Sequence, residues 1–405
     1  MNAHEWSRVP IGIEASRWVT RIGCRTVLIV AHTIVNCHRL LDVAELLEED
    51  QRIQTVFTVA PDTFNRGVAG HLRRLGALVL PWPQAVRERF DLVLAASYGG
   101  LTDLHGPLMV MAHGAGRGKA TRPGGRAGPV LTSPPVYGLD AQRLTRNGEV
   151  LASAIALSHE NELDILRRQC PEALPVAVVT GDPCFDVLAA SMPERGRYRQ
   201  VLGVDEDQEL VVVSSTWGRT GLFGKWPELL PLLMEQLSGQ RFRVAALLHP
   251  AVWCAHGHRQ VRAWLRNCRE AGLLLLDPED DWRSLLVAAD HVIGDHGSVT
   301  SYAAALGRNI LHLAPGLTAV TPGSAQEAVI GGARRLNPDG PILDQLRSAY
   351  PLDPAVVASR LTSRPGQAGP LLREAMYRLL RLPEPGRHRR SSPVPVPRLR
   401  PEPSC

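Results

Sequence analysis

The 405-residue sequence is 44% hydrophobic and 21% charged, and its length exceeds what one hydrophobic core usually serves, so we expect a soluble globular protein of two domains. Its net charge of +5 comes from basic residues spread along the chain rather than gathered in a stripe, which disfavours nucleic-acid binding. Seven cysteines without a C-x-x-C pair indicate neither a disulfide framework nor a structural zinc site, and the lack of a long apolar run or secretory signal predicts a cytoplasmic protein.

Short apolar runs alternate with amphipathic segments from residue 26 onward. This pattern is typical of βα units around a mainly parallel sheet. In the first half, apolar periodicity predicts a helix at about residues 36–49 because Leu40, Val43 and Leu47 recur at helical spacing. The other predicted elements of this half are strands at 26–31, 54–59, 78–80, 91–95, 108–112, 152–157 and 176–180, with helices near 63–75 and 160–169.

Polar and turn residues around 192–199 separate a second series of the same kind. We therefore predict an α/β protein with two facing Rossmann-like domains and mainly parallel sheets, over residues 1–192 and 193–382. Residues 383–405, rich in Pro and Arg, are predicted to form a disordered tail whose five arginines allow a weak membrane-surface contact. The second series has strands at 210–214, 243–248, 273–276, 291–294 and 309–313, with helices near 226–236, 260–271, 282–288 and 298–306.

A loop with the sequence H-G-A-G-R-G-K, residues 113–119, follows the fifth predicted strand. Ligands bind at the carboxyl ends of strands in such folds, and glycines let backbone N–H groups approach an anion. His113, Gly114 and Lys119 are therefore candidate site residues. The loop is not a Walker A motif, because Ala120 stands where Ser or Thr would bind magnesium. An ordinary flexible loop with a capping histidine is the alternative.

The segment G-D-P-C-F-D, residues 181–186, directly follows another predicted strand. Gly-Asp-Pro forces a turn and starts a helix, with Pro183 in the first helical turn. The need to form this turn and begin a helix would by itself explain these residues, and we favour this structural role over direct contact with a ligand.

The segment S-S-T-W-G-R-T-G, residues 214–221, follows the first strand of the second series. Small hydroxyl residues and glycine at a strand end suit phosphate contacts, and arginine supplies a charge-assisted hydrogen bond. Ser215, Thr216 and Arg219 are the candidates here. Trp217 is equally consistent with a core position.

His249 ends the next strand and is followed by Pro250, which stops it. A lone histidine is usually structural. Its place at the carboxyl end of a central strand nevertheless indicates a site residue, and we select it as a candidate catalytic group.

The most informative motif lies between residues 288 and 313, where a strand ends at Asp295 and a Gly-Ser turn follows. Ser298 is predicted to cap a helix of small residues, whose N-terminal N–H groups form a pyrophosphate site without a metal. Asp295 would repel phosphate, so we expect it to cap the turn or bind a hydroxyl. The candidate nucleotide-binding residues of this motif are Asp295, Gly297, Ser298, Val299 and Thr300.

In combination, these motifs resemble the CDP-glycerol glycerophosphotransferase family of the teichoic-acid polymerase type, over roughly residues 110–315. That family carries, in this order, an H-G-T-x-x-K-like loop, a G-N-P-x-x-D turn, a T-W-R segment, a His-Pro strand end and a D-Y-S-S helix start. The matching residues here are His113-Gly114 with Lys119, Gly181-Asp182-Pro183 with Asp186, Thr216-Trp217, His249-Pro250 and Asp295 to Ser298. The sequence departs from the family at Ala115 in place of Thr, Gly218 in place of Arg, and His296-Gly297 in place of Tyr-Ser.

The resemblance implies a GT-B fold and a transferase that needs neither metal nor cofactor. Such an enzyme moves a glycerophosphate or sugar group from a CDP- or UDP-activated donor, CDP-glycerol or a UDP-sugar, to an acceptor hydroxyl. His113 would be the base near the acceptor, while His249, Ser298 and their neighbours would hold the donor phosphates. Two alternatives stay open: an enzyme like the UDP-N-acetylglucosamine 2-epimerases, and a non-catalytic GT-B-like nucleotide-binding protein. A nicotinamide dehydrogenase and an α/β-hydrolase are disfavoured, because their glycine motifs are missing.

Overall fold

The computed structural model describes residues 7, 9–11, 15–17, 19–118, 135–237, 241–313, 320–386 and 391–397. By its contacts the chain divides into two compact units. Unit 1 comprises Met1–Cys184 and Thr362–Ser391, and unit 2 comprises Phe185–Leu361 and Ser392–Cys405. Each unit is built around a parallel sheet, so the predicted α/β class with two Rossmann-like sheets is confirmed. No helix within the described ranges is long and apolar enough to cross a membrane.

The strands of unit 1 are β1 (Arg25–Ala31), β2 (Ile53–Val59), β3 (Val79–Leu80), β4 (Leu92–Ala95), β5 (Leu108–Val110), β6 (Thr145–Arg146), β7 (Glu149–Val150), β8 (Ala154–Leu157) and β9 (Ala177–Val179). In the described part of the unit, seven of them form one sheet in the order β3-β2-β1-β4-β5-β8-β9, and all neighbours run parallel. Strand β1 is an unbroken apolar run from Val27 to Ala31 because helices cover both faces of such a sheet. Strands β6 and β7 pair separately as an antiparallel ladder.

The first five helices lie in unit 1: α1 (Ile34–Glu48), α2 (Val68–Arg74), α3 (Trp82–Ala85), α4 (Ala141–Leu144) and α5 (Asn161–Gln169). Helix α6 (Pro183–Ser191) begins in unit 1 and ends in unit 2. Helix α1 begins after Thr33, whose Oγ1 accepts a hydrogen bond from the N–H of Asn36. It buries Leu40, Val43 and Leu47 against the sheet, as their spacing predicts.

The strands of unit 2 are β10 (Glu209–Ser215), β11 (Phe242–Leu248), β12 (Leu274–Leu275), β13 (His291–Gly294), β14 (Asn309–His312) and β15 (Arg334–Arg335). Their order is β12-β11-β10-β13-β14-β15, and all neighbours run parallel. This is the Rossmann order, in which the sheet grows outward in both directions from its first strand. The order reverses between β10 and β13, and the carboxyl ends of these two strands are where such sheets bind ligands.

The remaining helices are α7 (Arg195–Val201), α8 (Leu222–Lys225), α9 (Leu229–Gln236), α10 (Pro250–His256), α11 (His258–Trp264), α12 (Arg266–Glu270), α13 (Arg283–Ala288), α14 (Ser298–Ala305), α15 (Ala325–Gly332), α16 (Ile342–Arg347), α17 (Pro354–Leu361) and α18 (Ala368–Leu380). Helix α14 packs against α15 and α17 in unit 2. Helix α18 instead belongs to unit 1, where it packs against α1.

The compact units differ from the continuous domains predicted from the sequence. Helix α18 buries Leu372, Met376 and Tyr377 in the core of unit 1, although it follows unit 2 in the chain. Residues 192–199 were expected to form an irregular break between the domains. They instead form a short 3₁₀ turn followed by the start of α7, which is held in place by the fully buried side chain of Tyr198. An apolar stripe tells which face of a helix is buried but not which sheet it covers.

Residues 391–397 of the predicted disordered tail pack against unit 2. Val394 is 4% exposed, its N–H donates to Oγ of Ser191 at 2.9 Å, and its carbonyl accepts from the hydroxyl of Tyr198 at 2.6 Å. The prediction of disorder is therefore wrong for this segment, since one apolar residue with two satisfied backbone groups is enough to dock it. Residues 398–405 lie outside the described part of the chain.

Candidate functional site

His113 lies at the carboxyl edge of the unit 1 sheet, three residues after β5. Its Nδ1 is 3.1 Å from the carbonyl oxygen of Ala96, which follows β4. A carbonyl only accepts hydrogen bonds, so the neutral ring carries its proton on Nδ1 and its lone pair on Nε2. His113 is exposed. An exposed ring with the lone pair on Nε2 is the arrangement that a general base requires.

The loop 113–118 is held by hydrogen bonds to side chains beneath it. Nη2 of Arg39 donates to the carbonyl of Gly114 at 3.1 Å, and Nη1 of Arg117 donates to the hydroxyl of Tyr98 at 3.0 Å. Arg117 is therefore buried inside the protein instead of being presented to an anion. Lys119, the other cation expected in this motif, lies outside the described residues.

Charged groups are buried below the same loop. Nη1 of Arg39 pairs with Oδ1 of Asp182 at 2.7 Å, and the two side chains are 4% and 0% exposed. Oδ1 of Asp182 also accepts from the N–H of Cys184 at 2.9 Å, which closes the Gly-Asp-Pro turn. Glu162 is buried as well; burial raises the pKa of its carboxyl, and the charge of Arg117 opposes that shift. The Gly-Asp-Pro motif is thus linked to the histidine loop through Arg39.

A small pocket opens beside this loop at the carboxyl ends of β5, β8 and β9. Its polar lining includes Arg39, Ser158 and Thr180, and its wall includes Ala112, the residue before His113. Because the charge of Arg39 is already compensated by Asp182, the lining suits a polar, uncharged group such as a hydroxyl.

In unit 2, the carboxylate of Asp295 joins the loops that follow β10 and β13. Oδ2 accepts from the N–H and hydroxyl of Thr216, at 2.8 and 2.9 Å, and from the N–H of Leu222 at 2.8 Å. Oδ1 accepts from the N–H of Gly297 at 3.0 Å. With four protein donors and 2% exposure, Asp295 acts as the turn cap that its position indicated.

Helix α14 begins at Ser298, with Gly297 as its N-cap and no side-chain capping bond. The predicted capping by Ser298 is therefore wrong, because this residue is already inside the helix. Gly297 lies so close to Thr216 that a Cβ at position 297 would come within 2.8 Å of the threonine Cγ2. The first-turn N–H groups of Ser298, Val299 and Thr300 lack helical acceptors, so this end of α14 favours an anion.

The other candidates after β10 divide into buried and exposed groups. Oγ of Ser215 donates to the carbonyl of Thr216 and accepts from the N–H of Phe223, both at 2.8 Å, so this hydroxyl serves the loop itself. Arg219 and Trp217 are exposed on the loop surface. Of this group, Arg219 therefore offers the accessible cation.

His249 is the N-cap of α10, and its Nδ1 accepts a hydrogen bond from the N–H of Ala251 at 3.1 Å. The neutral ring must then carry its proton on Nε2. His249 and His113 are consequently opposite tautomers: His249 is suited to donate a hydrogen bond to an anion, and His113 is suited to accept a proton.

His312, at the end of β14, was not selected from the sequence. It is fully buried, and neither ring nitrogen contacts a hydrogen-bonding group in the described part of the chain. Burial lowers its pKa to about 4; Asp295 opposes this shift, while His296, Arg335 and Lys225 strengthen it. This histidine is therefore neutral at physiological pH. The sequence signal was a histidine inside an otherwise apolar strand.

Arg39 and Glu162 are further residues whose importance the sequence did not reveal, and Asp182 was identified there only as part of the Gly-Asp-Pro turn. Arg39 stands on the buried face of α1 beside Leu40 and Val43. An arginine within an apolar helical stripe is the signal that could have identified it. Among the described residues, no cluster of three or more His, Cys, Asp or Glu side chains is arranged to hold a metal ion.

No protein-family model and no curated protein sequence matches this chain. Similar solved structures include the wall teichoic acid polymerase TagF, H444N variant, with a TM-score of 0.56, 11% identity, and coverage of 88% of this chain and 89% of that one. The S. aureus MnaA–UDP co-structure has a TM-score of 0.52 at 13% identity, with 92% and 100% coverage. UDP-GlcNAc 2-epimerase from Neisseria meningitidis bound to UDP-GlcNAc also scores 0.52, at 14% identity, with 88% and 100% coverage. The chain therefore has the GT-B-type fold that the motif resemblance implied, and it shares this fold with these three solved structures.

Proposed function

We propose that this protein is a metal-independent transferase that moves a glycerophosphate or sugar group from a CDP- or UDP-activated donor to an acceptor hydroxyl. The observation that carries the proposal is the pair of opposite histidine tautomers, each at the carboxyl end of a Rossmann-like sheet. In these tautomers Nε2 of His113 carries the lone pair, whereas Nε2 of His249 carries the proton. A group transfer from a nucleotide donor needs both.

In the proposed reaction, unit 2 holds the donor. The first-turn N–H groups of α14, with Nε2–H of His249 and the cation of Arg219, stabilise the phosphate charge. Asp295 orients this site by joining the two loops that form it. The likeness to co-structures with UDP and UDP-GlcNAc supports the choice of a nucleotide ligand.

Unit 1 supplies the proton acceptor. Nε2 of His113 takes the proton of the acceptor hydroxyl as its oxygen forms a bond to the transferred group. The bond between that group and the nucleotide phosphate breaks, so that CMP leaves from CDP-glycerol or UDP leaves from a UDP-sugar. The negative charge gained by the leaving nucleotide is stabilised in unit 2.

The experiment is isothermal calorimetry of the full chain with CDP-glycerol, CDP, UDP and UDP-GlcNAc, each with EDTA and with magnesium. We expect at least one of these nucleotides to bind with the same affinity in both conditions, because the site is built from N–H groups and cationic side chains. Binding that disappears in EDTA and returns with magnesium would contradict metal independence. Failure of all four ligands to bind would contradict the donor class.

A 2-epimerase activity is the second candidate, favoured by the likeness to the UDP-GlcNAc 2-epimerase bound to UDP-GlcNAc. An epimerase converts UDP-GlcNAc without an acceptor, whereas a transferase leaves its donor intact except for slow hydrolysis. Product analysis after incubation with UDP-GlcNAc alone therefore separates the two activities. Tight nucleotide binding without turnover in any assay would indicate the non-catalytic binding protein.

A further inference from the structure

Four charged side chains are buried below the loop 113–118 in unit 1: Arg39, Arg117, Glu162 and Asp182. We call these two arginines and two carboxyl groups the buried quartet. Arg39 and Asp182 are joined at 2.7 Å, and Glu162 interacts electrostatically with both Arg117 and Asp182. Burying four charges is costly, so their placement at one loop requires a reason beyond packing.

Each side of the quartet contacts the histidine loop or the strand ends beside it. Arg39 bridges two segments, because Nη1 pairs with Asp182 while Nη2 donates to the carbonyl of Gly114, the residue after His113. Arg117 belongs to the loop itself and is bound to Tyr98. Glu162 accepts from a backbone N–H after β8, and its Oε1 lies 3.5 Å from where a Cβ on Gly116 would stand.

We propose that the buried quartet is a positioning device that holds His113 in its base-competent geometry, with Arg39 as its central member. Arg39 binds the loop only while Asp182 fixes its guanidinium, so the Gly-Asp-Pro turn controls the histidine loop through one side chain. The effect on turnover rests on the proposed transferase function. The effect on loop order does not.

The geometry explains why an apolar core would not serve this purpose. The carbonyl of Gly114 needs a donor, and a guanidinium can reach it and a carboxylate with separate nitrogens. A well-packed apolar pair could replace the two charges with little loss of stability, but it could not bind the carbonyl. Stability and loop order are therefore separable by mutation.

The central experiment compares Arg39→Leu, Asp182→Asn and the double variant Arg39→Leu/Asp182→Asn in the full chain. Each single change leaves one buried charge without its partner, so we expect the melting temperature to fall by more than about 5 °C. The double variant should regain most of this loss, because it buries no unmatched charge from this pair. Backbone amides of residues 112–118 should nevertheless exchange with deuterium at least ~10-fold faster in the double variant than in the wild type.

The matched control is Arg262→Leu/Asp277→Asn, which removes an ion pair with a 2.6 Å contact in unit 2. It should leave exchange of residues 112–118 unchanged. Arg39→Lys provides a second test that does not depend on the double variant folding. Lysine keeps the charge beside Asp182 but has a single nitrogen, so loop exchange should still rise while the melting temperature changes less.

The functional readout is release of CMP from CDP-glycerol, measured with the nucleotide affinity of the same variants. We expect kcat to fall by about 100-fold in the double variant, with the donor affinity within about 2-fold of wild type, because only unit 1 has changed. If wild-type protein binds no CDP-glycerol, the proposed donor is wrong, and the exchange measurement still decides the positioning role. Unchanged exchange in both the double variant and Arg39→Lys would overturn the inference.

Discussion

Oδ2 of Asp295 lies 2.8 Å from the backbone nitrogen of Thr216 and 2.9 Å from its hydroxyl, which ties together the ends of the two strands that flank the switch point of the unit 2 sheet. These residues are 79 positions apart in the sequence. In the proposed function this carboxylate does not contact the anion. It arranges the backbone groups that would bind one.

Replacing Asp295 by Asn should lower the free energy of unfolding by about 2–4 kcal/mol, because the amide group turns donors toward N–H groups that need an acceptor. Thr216→Val is the milder control and should cost about 1 kcal/mol, since it removes only the hydroxyl. Urea unfolding of both variants measures these differences. Wild-type stability in Asp295→Asn would show that the bridge is dispensable.

Replacing His113 by Ala should reduce turnover by ~10²–10⁴-fold and leave the nucleotide dissociation constant nearly unchanged. The reason is that the variant loses the Nε2 lone pair in unit 1, while the proposed donor site in unit 2 is intact. Calorimetry and product release on the same preparation test both parts. A large loss of nucleotide affinity would instead assign His113 to the donor.

Replacing His249 by Ala should weaken nucleotide binding by about 10- to 100-fold, because a hydrogen bond to a charged group contributes ~1.5–3 kcal/mol. His249→Asn is a useful comparison, since its amide retains both a capping oxygen and a donor nitrogen. We expect it to recover part of the affinity. Equal nucleotide affinities of the wild type and His249→Ala would show that His249 caps α10 but does not bind the nucleotide.

The buried His312 makes stability depend on pH in a defined window. Its pKa falls from 6.5 to about 4 on folding, so the unfolded chain binds more protons between these values. Stability should therefore be complete above about pH 6.5 and decrease as the pH falls toward 4, by on the order of 3 kcal/mol. Charged and titratable neighbours in this region are Asp295, His296, Arg335 and Lys225.

His312→Leu tests this dependence, because it removes the titrating ring and leaves no hydrogen bond to a described residue unmade. The variant should be at least as stable as wild type at pH 7, and its advantage should increase at pH 4.5. Denaturant unfolding at the two pH values provides the comparison. An advantage that does not change with pH would show that His312 is protonated normally in the folded state.

Truncation after Arg390 should lower the melting temperature, because it removes the buried Val394 and its hydrogen bonds to Ser191 and Tyr198. The expected cost is about 2–4 kcal/mol, a shift of several degrees in a unit of this size. Truncation after Pro397 retains the docked segment and should leave the melting temperature unchanged. Identical melting of both truncated forms and the full chain would show that the docking adds no stability.

Local patterns predicted most of the secondary structure correctly. Strands such as β1 and β11 are short apolar runs, and the period of α1 is visible in Leu40, Val43 and Leu47. In a parallel α/β sheet the ends of such strands also locate ligand sites, so His113, His249 and Asp295 could be selected before their surroundings were known. Their tautomers and partners could not be selected, because these depend on carbonyls and N–H groups contributed by the folded backbone.

The amino-acid sequence by itself determined the two series of βα units and the positions of the motifs at strand ends, since hydrophobic periodicity and turn residues act over a few neighbouring residues. Only the tertiary structure decided that α18 returns to unit 1, that Val394 docks on unit 2, and that Arg39 meets Asp182 across 143 positions of sequence. Such contacts join residues that are far apart in the sequence. They depend on which buried faces and charges come together in the folded chain, so no local sequence pattern predicts them.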